Sequence, residues 1–387
     1  VVTLENGVST QDVATLSADH LTTTAPLIAQ QIELLRGPAT LLYGSGAIGG
    51  LVNVVNNRLP NKITPGFSGA IQGKLDSASS GGSGALDITH AGTDGFYAHI
   101  DASTQQASDY TVPSKAGVGN TVGNSGYDLR DSAIAGGYLS DKGQLSLVVA
   151  RSRANYGIPN DPADPENATI DQDQHRYELL GAINKPSKSI EKIKVRAARV
   201  AYQHSELNDM GEAETTFIQD SDDGRIELTH MPIVSLGGLR GVVGVQGTQS
   251  DFSQLDDASA PIVQTKTNSV AGFIVEELPL SDAVKLEGGV RVEHLRVSDV
   301  LNGEGATETP VSVNLGARVK LGNGYALAVS AARAQRGATA LERYSNGPHE
   351  ATATFEVGLD VAGQAKKETA HNVDVRFEKT TGQVKFS

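Results

Sequence analysis

Beyond Pro60 the chain alternates between apolar and polar positions over long stretches. Phe67, Gly69, Ile71, Gly73 and Leu75 share one parity, with Ser68, Gln72, Lys74 and Asp76 on the other. Val284, Leu286, Val290 and Val292 oppose Lys285, Glu287, Arg291 and Glu293, and Val373, Val375 and Phe377 oppose Asn372, Asp374, Arg376 and Glu378. A period of two with one charged face predicts strands that are wet on one side and apolar on the other. Tight turn signals fall at Asp94-Gly95, Asp141-Lys142-Gly143, Ser187-Lys188, Gly237-Gly238, Ser281-Asp282, Asn323-Gly324 and Thr381-Gly382. Between them lie longer polar segments at 106–126, 157–174, 206–224, 252–265, 299–310 and 336–350. Short turns alternating with long loops predict an up-and-down barrel, because a soluble sandwich turns every 8–12 residues or about that, without such asymmetry.

The first sixty residues follow another rule. Apolar Ile32-Glu33-Leu34-Leu35 is broken sharply by Arg36-Gly37-Pro38. A second apolar run, Leu41-Leu42-Tyr43, enters a glycine cluster (Gly44, Gly46, Gly49, Gly50) and leaves as β-branched Val52-Asn53-Val54-Val55. Gly44-Ser45-Gly46-Ala47-Ile48-Gly49 satisfies the dinucleotide fingerprint, but that fingerprint needs a helix directly after it to carry the pyrophosphate. A strand former follows instead, so the glycines read as a turn that brings two strands close.

This stretch resembles the plug of the TonB-dependent outer-membrane receptors, position after position and without gaps. The resemblance implies an all-β membrane barrel of about 22 strands with an N-terminal α+β plug, set in the outer membrane of a Gram-negative bacterium. Residues 1–60 are expected to be the C-terminal part of the plug and 61–387 the N-terminal part of the barrel, with about 14 or 15 of those strands. Both termini read as strand interior, at Val1-Val2-Thr3-Leu4 and Val384-Lys385-Phe386-Ser387, so a longer protein is expected. The expected partner is a TonB-type energy-coupling protein, whose contact segment would precede Val1.

Composition narrows the chemistry. The net charge of −13 argues against nucleic acid. Cysteine is absent, so any metal site must use His, Asp, Glu or backbone groups. Aromatics make up 5% with no Trp, fewer than the girdles of an outer-membrane barrel lead one to expect. No apolar run has the length of a membrane helix, which leaves a barrel untouched because its strands alternate in polarity. No Gly-x-Ser-x-Gly elbow, His-Glu-x-x-His pair or P-loop is present, so an enzyme is not expected, nor a catalytic cofactor.

Three further segments carry a finer resemblance. Ser17-Ala18-Asp19-His20 precedes the Arg36-Gly37-Pro38 break, Glu212-Ala213-Glu214-Thr215-Thr216-Phe217 precedes Arg225-Ile226-Glu227-Leu228, and Asn346-Gly347-Pro348-His349-Glu350 leads into Thr354-Phe355-Glu356-Val357. Together they are similar to the zinc-uptake branch of these receptors, the ZnuD type. That likeness implies a zinc shell of Asp19, His20, Glu214 and His349, with Glu212 competing for the place of Glu214. Two imidazoles and two carboxylates suit a tetrahedral Zn²⁺, as cargo and not as cofactor. Each residue also has an ordinary reading: a turn cap for Asp19, a loop residue for His349, a solvated acidic loop for Glu214. His99, in phase with Tyr97 and Asp101, is expected to face the barrel interior. His90, His204, His230, His294 and His371 make no i, i+2 or i, i+4 pairs with one another, and no role is assigned to them. Some zinc receptors of this type carry histidine-dense outer loops, whereas the acidic segment from Asn160 has only His175. A siderophore, haem or cobalamin receptor is the alternative on the same fold, and a surface adhesin the alternative of another class.

Overall fold

The computed structural model describes every residue except 1, 15–19, 37, 45, 114–119, 160–166, 257–259, 345, 350–353, 361–365, 383–384 and 386–387. Four short strands come first: β1 (Val2–Glu5), β2 (Val8–Ser9), β3 (Gln31–Leu35) and β4 (Leu51–Val55). They form one sheet in the order β2-β1-β4-β3, with β1 parallel to β4 and the other pairs antiparallel. Gly50 turns the chain into β4 at φ +104°, and a side chain there would stand 3.0 Å from the Leu35 carbonyl. That combination requires glycine. Leu4, Ala47 and Leu51 form the small core beneath, with Val2, Leu35 and Tyr43 against it.

The second body is a meander. Its strands are β5 (Gly66–Asp76), β6 (Gly81–Ala91), β7 (Phe96–Ala107), β8 (Tyr127–Ser140), β9 (Gly143–Gly157), β10 (Thr169–Asn184) and β11 (Ile190–Leu207). It continues through β12 (Ala213–His230), β13 (Arg240–Asp256), β14 (Ala260–Pro279), β15 (Val284–Asp299), β16 (Gly305–Glu308), β17 (Val311–Gly322) and β18 (Tyr325–Arg336). After α1 (Ala340–Tyr344) and a hairpin of β19 (Asn346–His349) and β20 (Thr354–Val357), β21 (Glu368–Lys379) returns to pair with β18. Among the described residues this is one 15-stranded sheet, with each strand beside its neighbours in sequence and β16 paired to β15 alone. Residue 60 falls in the segment between the two bodies.

The outward parity is apolar, as the alternation predicts. Phe67, Ile71 and Leu75 are 80–90% exposed on β5, and Val373 and Val375 stand out in the same way on β21. The tight turns fall where the sequence places them, all at one end of the sheet. Phe and Tyr pairs gather at that end in place of Trp: Phe96 with Tyr138 (centroids 5.1 Å apart) and Tyr325 with Phe377 (5.6 Å). Amphipathic rings at one level are what a membrane interface selects.

The opposite end departs from expectation. The segment 206–224 is not a loop: β11 runs to Leu207 and β12 begins at Ala213. Likewise β10 starts at Thr169 and β13 continues to Asp256. The outward positions of β12 explain the error, because they change from Leu228 and Ile226 to Asp222 and Asp220 along one face. A strand that continues beyond the hydrocarbon meets water on its outer side and loses the apolar half of its pattern, while its ladder of backbone bonds goes on.

Buried ion pairs join the two bodies. Arg58 pairs with Glu5 of β1 and makes two bonds of 2.8 Å to the carboxylate of Asp101 on β7. His99 is 1% exposed, bonded to Thr89 and Asp101, and faces the interior as its parity predicts. Inward-facing Arg-x-Glu pairs recur at Arg176/Glu178, Arg225/Glu227 and Arg291/Glu293. At the outer end, Val13 of the first body is buried among Val200, Tyr202, Phe217, Phe252, Val263 and Leu341, which closes α1 over the interior.

Candidate metal site

The site begins with a loop. Between β2 and β3 the chain leaves the small sheet and rises along the inner wall of the large one. Asp12 closes the neck of this loop: one carboxylate oxygen accepts from the Thr23 amide (3.0 Å) and hydroxyl (3.1 Å), the other from the Ala14 amide (3.3 Å). Wall side chains then grip the neck. Gln174 donates to the Thr10 carbonyl (3.1 Å), Gln219 to the Gln11 carbonyl (2.7 Å) and Arg176 to the Ser9 carbonyl (2.9 Å). The Leu21 amide donates to the Tyr156 hydroxyl (2.9 Å).

His20 is thereby held against the wall, 8% exposed. Its ring centroid lies 4.6 Å from that of His204, and its Nε2 lies 3.7 Å from Glu206 Oε1. His204 and Glu206 are two residues apart on β11, so both point inward. Phe217, the cross-strand partner of His204, stacks on its ring (4.5 Å between centroids, 17° between planes) and meets His20 edge-on.

One potential ligand atom from each of His20, His204 and Glu206 lies within 4.8 Å of the other two. Donors around a tetrahedral Zn²⁺ at about 2.1 Å stand about 3.4 Å apart. The group is thus wider than a closed shell, and its donors would draw together by up to about 1.4 Å per pair to close it. It is the one such group among the described residues.

Of the four ligands implied by resemblance, the structure brings His20 into this group. Asp19 lies outside the described residues. His349 ends β19, where its backbone pairs with Thr354, and its side chain lies outside the described set. Glu214 sits on β12, exposed, where the pairing slips from Glu206–Thr215 to Leu207–Ala213. It is the extra residue of a β-bulge and is not part of the group. Glu212 is also exposed. Sequence reasoning passed over His204 and Glu206. A signal was there, a His-x-Glu pair whose period places both side chains on one face of a strand, but the strand was expected to end at 206.

The large sheet and the small one each match a family model. Residues 55–387 match the model described as TonB dependent receptor-like, beta-barrel, and residues 1–51 match the TonB-dependent Receptor Plug Domain. The chain belongs to the TonB-dependent receptors. Solved structures agree on the fold of this receptor. It superposes on a structure titled copper transporter OprC with a TM-score of 0.81 at 15% identity, covering 99% of this chain and 62% of that one. For the Serratia marcescens hemophore receptor HasR, solved with HasA and heme, the values are 0.76, 13%, 99% and 62%. For the FrpB iron transporter of Neisseria meningitidis they are 0.73, 13%, 93% and 60%. Identities this low speak to the fold alone. The receptor chain spans about six-tenths of the length of these neighbours.

Proposed function

We propose that this receptor takes up zinc, as the free ion or a complex, across the outer membrane of a Gram-negative bacterium, driven by a TonB-type energy-coupling protein. The observation that carries the reading is the convergence of a plug imidazole, His20, on His204 and Glu206 of the barrel wall. Two imidazoles and a carboxylate, with positions left for further donors, suit Zn²⁺. Soft sulfur ligands, which select Cu(I), are scarce: the sequence has no Cys and two Met, of which Met210 is 78% exposed. In this assignment Glu206 supplies the barrel carboxylate in place of Glu214. Asp19 and His349 stay as the proposed donors for the remaining positions.

The same donors would bind Cu²⁺ more tightly than Zn²⁺ and Ni²⁺ or Co²⁺ nearly as well, so selectivity would rest on geometry and supply. Isothermal titration of the complete receptor with Zn²⁺, and with Cu²⁺ in competition, tests the reading. His20→Ala, His204→Ala and Glu206→Ala are each expected to weaken binding at least tenfold, as are Asp19→Ala and His349→Ala. Affinity equal to wild type in the first three overturns the site. A siderophore or haem saturating the receptor while Zn²⁺ does not would replace the cargo and keep the fold.

A further inference from the structure

We propose that Gln172 and Tyr202 are positioning residues that fix the protonation pattern of His204, so that its Nε2 lone pair faces the interior as a ligand. This deepens the zinc reading above and rests on it for its purpose, though not for its geometry. Gln172, Tyr202 and His204 are 2%, 2% and 0% exposed. Gln172 lies directly across from His204 in the β10–β11 register, and Tyr202 is two residues from His204 on the same face. The Tyr202 hydroxyl donates to Gln172 Oε1 at 3.3 Å and lies 2.9 Å from His204 Nδ1.

A phenol has one proton to give. With that proton directed at Gln172, the oxygen offers His204 only lone pairs, so the shared hydrogen bond must be Nδ1–H donating to the hydroxyl. A neutral imidazole protonated on Nδ1 carries its lone pair on Nε2. His204 Nε2 is buried and has no hydrogen-bond partner among the described residues. Leaving a buried acceptor in that state is unfavourable, and a cation beside His20 and Glu206 would use it.

The surroundings restrict the ring further. Gln172 of β10, His204 of β11 and Phe217 of β12 form one row across three strands. The amide and phenol fix the ring at one edge, and Phe217 fixes its plane by stacking. Partners of this kind orient a metal-binding histidine and set its tautomer, and their removal costs roughly 10–100-fold in metal affinity.

Two readouts separate this relay from the zinc reading. The first uses the complete receptor, metal-free and ¹⁵N-labelled at histidine, at a pH where the imidazole is neutral, with His204→Gln to assign the signal. The expected spectrum has a pyrrole-type Nδ1 and a pyridine-type Nε2, and the reverse pattern overturns the relay whatever the receptor binds. The second is Zn²⁺ titration of Tyr202→Phe, which keeps the ring in its apolar cluster, and of Gln172→Met, which keeps the length and removes the acceptor. Both are expected to mix the two tautomers and to lose roughly 10–100-fold in affinity. Wild-type tautomer and affinity in either folded variant overturns the proposal. Should wild type bind no zinc, the tautomer measurement still decides the relay.

Discussion

Asp12→Ala isolates the loop that carries His20 from the site itself. Asp12 is 7% exposed and touches no candidate ligand in the group; its carboxylate holds the loop neck through the amide and hydroxyl of Thr23 and the amide of Ala14. Hydrogen bonds to a charged group contribute about 1.5–3 kcal/mol each, and a buried donor left without its acceptor costs about 1–3 kcal/mol. The Ala14 contact is long at 3.3 Å and counts for little. The two Thr23 bonds share one oxygen, so they do not add fully. A loss of about 3 kcal/mol in the stability of the closed loop is the reasonable sum. The barrel contacts from Gln174, Gln219 and Tyr156 remain, so the change is local.

At 1.36 kcal/mol per decade, 3 kcal/mol is roughly a hundredfold. Amide exchange at Thr23 is expected to quicken by about that factor in the variant, while β10 and β11 keep wild-type protection. Zinc affinity falls by up to the same factor if the open loop becomes the main population, because binding then includes the work of closing it. Hydrogen-exchange mass spectrometry on the complete receptor gives the first number and titration the second. Unchanged exchange at Thr23 would refute the reasoning, since among the described residues Asp12 is the side chain that bonds to both arms of this neck. Faster exchange with unchanged zinc affinity would keep the neck and remove His20 from the site.

Two further outcomes follow from the buried charges. Arg58→Met leaves Glu5 and Asp101, each 4% exposed, without their cation, and should cost about 3–5 kcal/mol in docking of the plug to the wall. Limited proteolysis of the plug reads it, and wild-type resistance would contradict it. In α1, burial raises the Glu342 carboxyl, but bonds from Arg336 and Thr339 outweigh it and hold the group below its usual 4.5. Its contribution is therefore complete above that value and lost as pH falls through the folded pKa. Exchange in α1 should rise on acidification in wild type and show no such step in Glu342→Gln.

What the sequence made legible was whatever depends on parity. The outward run from Phe67 to Leu75 and the inward His99 follow from alternation alone. Turn chemistry at Asn323-Gly324 and its counterparts gave the closed end of each hairpin, because left-handed glycines such as Gly95, Gly237 and Gly324 are a local requirement. The glycine-rich entry to β4 was legible for the same reason. The outer strand ends were not, because solvent on both faces erases the apolar half of the pattern. The metal group was hidden there. Its histidine and carboxylate on β11 lie beyond Val195, the last large hydrophobic exposed on that strand, at 38%. Glu214 was placed by its spacing to Arg225, but the strand runs without a register shift from Arg225 to Thr215, and an odd spacing along it puts Glu214 on the face opposite inward-pointing Arg225.

The division of the ligand group between two bodies bears on how cargo would leave. His204 and Glu206 belong to β11, which is paired along its whole length on both sides. His20 belongs to a loop held to the wall by a few side chains, chiefly Gln174, Gln219, Arg176 and Tyr156. Net contributions near 1 kcal/mol for each such bond put the cost of detaching that loop at a few kcal/mol. Breaking β11 out of the barrel would cost the sheet itself. Force on the plug would therefore part the group between His20 and the wall, leaving His204 and Glu206 on their strand without the plug imidazole. Such a site binds an ion far less tightly than the intact group, so displacement of the plug loop would itself lower affinity, with no second inward-facing site required.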